Sequence, residues 1–120
     1  MWQQILRVKQ RAIWSWAGFS HVYKTEGSLS QWLTANAVFG ILAFALPLSA
    51  GERGILLMGG IIILAAECMN TAIERVVDDI STEQRDAAMQ AKDCGSAAVA
   101  VTAVGVGVAW VCVIVGLIAG

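Results

Sequence analysis

Ala66-Glu67-Cys68-Met69-Asn70-Thr71-Ala72-Ile73-Glu74-Arg75-Val76-Val77-Asp78-Asp79 sets a polar stripe into an apolar run, and that combination decides the fold. At roughly 100° per residue, Glu67, Asn70, Glu74 and Asp78 fall within an arc of about 80° on a helix. The surrounding positions, among them Ile61, Ile62, Ile63, Leu64, Cys68, Met69, Ile73, Val76 and Val77, are apolar. The stripe is therefore not the wet side of a soluble helix. Ionisable groups on a membrane-entering helix call for a partner or a function.

Working outward, the 120 residues are 58% hydrophobic and 14% charged, and the mean hydropathy of +0.68 points to an integral membrane protein. No charged residue occurs from Gly27 to Gly51 or from Cys94 to Gly120. Both stretches exceed the roughly 20 residues that cross a bilayer as a helix. The uncharged run from Gly54 to Ala66 is too short alone and spans only if its helix continues towards Asp78. The expected fold class is an all-α membrane protein, with three transmembrane helices and an N-terminal amphipathic surface helix. As a single domain over 1–120, it divides into a surface helix at 1–25, a first span at 28–50, a second at 54–80 bearing the active-site face, and a third at 92–119.

Residues 1–25 carry Arg7, Lys9, Arg11 and Lys24 among Trp2, Ile5, Leu6, Ile13, Trp14, Trp16 and Tyr23. Without an unbroken apolar core they do not read as a secretory signal. They suit a helix lying in the interface, or a packing helix at the membrane edge. Three crossings put every base except Arg53 on one side, which is expected to be cytoplasmic. Glu26, the 67–78 stripe and Lys92-Asp93 then meet at that edge and can form one site.

The net charge of −1, with no basic cluster, sets nucleic acid aside as a partner. Cys68, Cys94 and Cys112 are odd in number and lack CxxC spacing, so they read as packing residues. Pro47, Ser49, Gly51 and Gly54 mark the turn between the first two spans. The polar stretch from Ser81 to Gln90 joins the last two and is placed to cover a soluble substrate. Ala103 and Gly107, four apart, would allow close approach of another helix. His21 has no companion ligand, and no phosphate-loop motif surrounds Gly59-Gly60.

Each polar constellation has two readings. Glu26 and Glu74, from different helices, suit Mg²⁺, which takes oxygen ligands and keeps waters for a phosphate to replace; alternatively they pair with Lys24, Arg75 or Lys92. Glu67, deepest of the acids, is a candidate general base for a hydroxyl near the interface, or else a proton relay or helix-pairing carboxylate. Asn70 orients that group or binds another helix. Lys92 beside Asp93 neutralises phosphate or anchors the third span.

Glu67-Cys68-Met69-Asn70-Thr71-Ala72-Ile73-Glu74 with Val76-Val77-Asp78, followed by Ala91-Lys92-Asp93-Cys94-Gly95-Ser96-Ala97-Ala98-Val99, resembles the prokaryotic diacylglycerol kinase family. Ser15-Trp16-Ala17-Gly18 and Lys24-Thr25-Glu26 extend the resemblance over nearly the whole chain. It implies a homotrimer in the bacterial inner membrane, with active sites shared between subunits on the cytoplasmic face. The implied reaction moves the γ-phosphoryl of MgATP to the hydroxyl of membrane diacylglycerol, giving phosphatidic acid. By the same resemblance Glu67 is the catalytic base supported by Asn70, and Glu26 and Glu74 hold Mg²⁺. Arg7, Trp14, Glu83, Gln84, Arg85, Lys92 and Asp93 join that pair in contacting nucleotide. Arg7, Trp14, Ser15, Trp16, Gln31, Glu67, Ser96 and Trp110 match positions that contact the lipid. Trp32 stands where some members carry an acidic residue. The alternatives are an undecaprenol kinase of the same family and, in another class, a small proton-coupled transporter using Glu67 as a relay.

Overall fold

Helices α1 (Trp2–Thr25), α2 (Gly27–Ala45), α3 (Ala50–Ile80) and α4 (Asp86–Ala119) make up the chain in a computed structural model that describes residues 1–120. There are no strands, and α2, α3 and α4 are each long and apolar enough to cross a membrane. The expected all-α membrane fold is the observed one.

Local chemistry explains where the helices stop. Leu46, directly before Pro47, is extended (φ −82°, ψ 149°), as steric conflict with the proline ring requires, and α2 ends at Ala45. α3 opens with a capping box: Ser49 accepts from the Glu52 backbone N–H, and the Glu52 carboxylate accepts from the Ser49 N–H. Gly51 and Gly54, expected in the turn, therefore lie inside α3. The connection is shorter than the sequence punctuation indicates. α4 begins at Asp86, six positions ahead of the expected 92, because nothing in Asp86–Ala91 opposes helix and the break is confined to Ser81–Arg85.

Between α1 and α2 the break is a single residue. Glu26 has extended dihedrals (φ −118°, ψ 112°), yet its N–H still bonds to the Val22 carbonyl. α1 meets the bundle only near its C-terminal end, where Val22 is buried; residues 1–18 are exposed. Overall dimensions of 54 × 47 × 22 Å fit one axis along α4 and a second supplied by α1 lying across it. A 34-residue helix is about 51 Å long and a 24-residue helix about 36 Å.

Ala43, Leu48 and Leu56 form a small core where α2, the Pro47 turn and α3 meet, with Leu57, Trp110 and Val113 packed on it. The Trp110 and Phe39 rings lie 5.3 Å apart. Midway along the bundle, Asn36 of α2 sits directly against Gly60 of α3, where a Cβ would collide with its side-chain oxygen. Close helix approach within the chain thus falls at Gly60, at Gly59 against Val106 and at Gly95, while no atom of another helix lies within 4 Å of a notional Cβ at Gly107. Only 10 of 120 residues are buried in the single chain, so most apolar side chains point outward. Within a bilayer that surface faces lipid or other helices, and the backbone groups away from the helix ends pair within each span.

Candidate active site at the polar end of the bundle

The stripe on α3 fans out to three neighbours. Glu67, 5% exposed, accepts a hydrogen bond at Oε1 from the hydroxyl of Ser28, in the first turn of α2. One turn on, Thr71 is also buried. Arg75 reaches the α1–α2 joint, its Nη2 2.8 Å from Glu26 Oε1. Asp78 reaches α4, where Lys92 Nζ donates to Oδ1 at 2.6 Å.

Asn70 stands at the centre of the fan. Its Nδ2 donates to Glu74 Oε1 at 3.3 Å, and its Oδ1 is buried with no hydrogen-bond partner. That oxygen lies against Gly95 of α4, where a Cβ would overlap it. Glycine at 95 lets α4 approach closely enough to cover the amide.

Beyond Asp78 the end of α3, the Ser81–Arg85 loop and the start of α4 enclose an open cleft of about 550 Å³. Glu83, Gln84, Arg85, Lys92 and Asp93, all expected to contact nucleotide, line it together with Asp78. A second cleft of about 410 Å³, between α1 and α3, contains Ser15, His21, Cys68 and Arg75. A third cavity of about 180 Å³ is largely apolar and holds Trp110 with Trp32, Asn36 and Phe39. It begins one turn below the Ser28–Glu67 contact, since Trp32 follows Ser28 by four residues and Ile63 precedes Glu67 by four.

Other expected site residues are not gathered within one chain. Arg7, Trp14 and Trp16 are exposed on α1 and line none of these three spaces. Gln31 and Ser96 are exposed on α2 and α4. Glu26 and Glu74 are each engaged, with Arg75 and Asn70 respectively, and no three His, Cys, Asp or Glu groups converge as a metal cage. Of the two readings open for Glu26, the pairing with Arg75 is the observed contact. Sequence reasoning missed Ser28, because a serine two positions after a charged residue carries no signal until the register of α2 against α3 is known. It also left the partners of Asp78 and Lys92 unassigned.

A helical membrane protein with a buried carboxylate, a neighbouring hydroxyl and a charged cleft at one end of its bundle has the parts of a membrane-embedded transferase site. Similarity narrows the class. The prokaryotic diacylglycerol kinase family matches residues 13–114, and the chain belongs to that family. It is 34% identical to a diacylglycerol kinase of Pseudomonas aeruginosa over 110 residues, covering 92% of this chain and 89% of the relative. It is 31% identical to that of Escherichia coli K12 over 104 residues, 87% and 85% of the two chains. With the Haemophilus influenzae diacylglycerol kinase the identity is 30% over 97 residues, 81% and 82%.

Proposed function

We propose that this chain is an ATP-dependent lipid kinase that transfers the γ-phosphoryl group of MgATP to the hydroxyl of diacylglycerol within the membrane, producing phosphatidic acid. The observation that carries the reading is Glu67: a buried carboxylate whose hydrogen-bond donor is an alcohol. Family membership supplies the reaction class. A base within hydrogen-bond reach of a hydroxyl is what the acceptor half of such a transfer requires.

In this reading the lipid hydroxyl lies on Glu67. As its oxygen attacks the γ-phosphorus, its proton passes to the Glu67 carboxylate and the bond from that phosphorus to the β–γ bridging oxygen breaks, releasing ADP. Phosphoryl transfer asks mainly for positioning and charge neutralisation. Lys92 and Arg85, both lining the 550 Å³ cleft, neutralise phosphate oxygens there. The Asn70 amide orients the Glu74 carboxylate. Glu26 and Glu74 present oxygen donors of the kind Mg²⁺ prefers, and Glu26 is accessible enough to have Arg75 beside it. Held there by Glu26 and Glu74, the ion would supply neutralisation of charge on the phosphates.

The excess of bases at this end supports a cytoplasmic site in a bacterial inner membrane. Because α4 exposes an apolar face along Val101, Val104, Val108, Val111 and Val115 in the single chain, and Arg7, Trp14, Trp16 and Ser96 stand apart from Glu67, the reading extends to a homotrimer whose sites are completed by a second copy. The test is transfer of label from ATP to diacylglycerol and undecaprenol side by side in mixed micelles, with and without Mg²⁺. Magnesium-dependent phosphatidic acid is expected. Label in the polyprenol alone reassigns the lipid, and label in neither returns Glu67 to a proton relay.

A further inference from the structure

Ser28 has no role in the reaction as derived so far, yet its hydroxyl occupies the carboxylate that the reaction needs. Glu67 is 5% exposed, and the Ser28 hydroxyl is the one side-chain donor that reaches it. Both groups face the same point between α2 and α3, directly above the apolar cavity that starts at Trp32 and Ile63. A buried carboxylate left without a donor is costly, so when no substrate is present a donor must stand there, and the one in place is the Ser28 hydroxyl. The acceptor of the transfer is itself an alcohol. We infer that Ser28 is a placeholder for the lipid hydroxyl, satisfying Glu67 in the resting site and yielding to the substrate on binding. It thereby sets the apparent affinity for the lipid and keeps water off the base.

Two consequences follow from this exchange, which rests on Glu67 being the base. Lipid binding replaces one hydroxyl-to-carboxylate bond with another, so the Ser28 bond is subtracted from the substrate's affinity. Removing the serine hydroxyl also leaves the carboxylate to recruit water. With ATP bound and no lipid present, that water attacks the γ-phosphorus, gives its proton to Glu67 and yields inorganic phosphate and ADP.

The experiment compares the wild-type chain with Ser28→Ala, Ser28→Cys and Ser28→Thr in mixed micelles. It reads the diacylglycerol titration and, separately, phosphate release from MgATP without lipid. In Ser28→Ala, KM for diacylglycerol should fall about three- to tenfold, the factor one net hydrogen bond is worth, with kcat/KM rising accordingly. Lipid-free phosphate release should rise over wild type. Ser28→Cys, with a weaker donor, should move both readouts the same way by less, and Ser28→Thr should restore wild-type behaviour. A fall in kcat with KM unchanged would overturn the placeholder and make Ser28 a positioning group; unchanged KM and phosphate release in both Ala and Cys variants would also overturn it. Glu67→Gln serves as the control. If it retains transfer, the base assignment itself fails; if it is dead while the Ser28 variants behave as wild type, only the placeholder is lost.

Discussion

The two ends of the three-helix bundle use polar groups in opposite ways. At the Pro47 end every polar side chain closes a local account of backbone groups. Arg53 donates from Nε to the Ala43 carbonyl at 2.9 Å and from Nη2 to the Leu48 carbonyl at 3.2 Å, and it also lies 5.2 Å from the Phe44 ring centre. Ser49 and Glu52 cap α3 reciprocally. At the opposite end the groups pair side chain with side chain, and capacity is left over: Glu67 has one hydroxyl donor, Asn70 Oδ1 has none, and the two ion pairs are partly exposed. Saturated polar groups around backbone carbonyls serve the fold. Unsaturated ones that pair side chain with side chain are free to exchange partners, which is what binding and proton transfer require.

The contrast can be broken most severely at Glu67. Glu67→Gln keeps the shape but cannot take a proton, and lipid phosphorylation should drop by roughly 10²- to 10⁴-fold. Assembly, followed by size-exclusion chromatography in detergent, should be unchanged. Next in size, Gly95→Val drives a branched side chain into the Asn70 amide and displaces it. Activity should fall more than thermal stability, because the overlap is relieved chiefly by turning the Asn70 amide away from Glu74.

Smaller effects sharpen the comparison. Lys92→Ala should raise KM for ATP about tenfold, the scale of one charge-assisted hydrogen bond, while leaving KM for diacylglycerol near its original value. At the other end, Arg53→Ala orphans two carbonyls and should destabilise the fold by about 1–3 kcal/mol in denaturant titration, with the activity of the folded fraction retained. Ser49→Ala removes a helix cap and should lower the melting temperature by less than Arg53→Ala does. If Arg53→Ala changed KM for either substrate, the division of labour between the two ends would be wrong.

Much of this was legible beforehand, for identifiable reasons. Uncharged runs as long as Gly27–Gly51 and Cys94–Gly120 leave a chain few options besides crossing a bilayer, and the three-and-four spacing of Glu67, Asn70, Glu74 and Asp78 needs only the helical period. Helix ends were less legible. The Ser49–Glu52 pair has capping-box spacing, but the glycines at 51 and 54 imitate a turn, and the proline that does end α2 sits among leucines. Contacts between helices were least legible. That Ser28 faces Glu67, that Gly95 faces Asn70, and that Arg75 turns towards Glu26 while Asp78 turns towards Lys92 depend on axial register and rotation. Those quantities come from packing, and no local pattern encodes them.

The one-residue joint at Glu26 also has a mechanical meaning. α1 and α2 are coupled through one extended residue that caps both helices. Glu26 is that residue, and Ser28 lies two positions beyond it in α2. The Ser28–Glu67 contact is therefore tied, through one residue, to the end of α1.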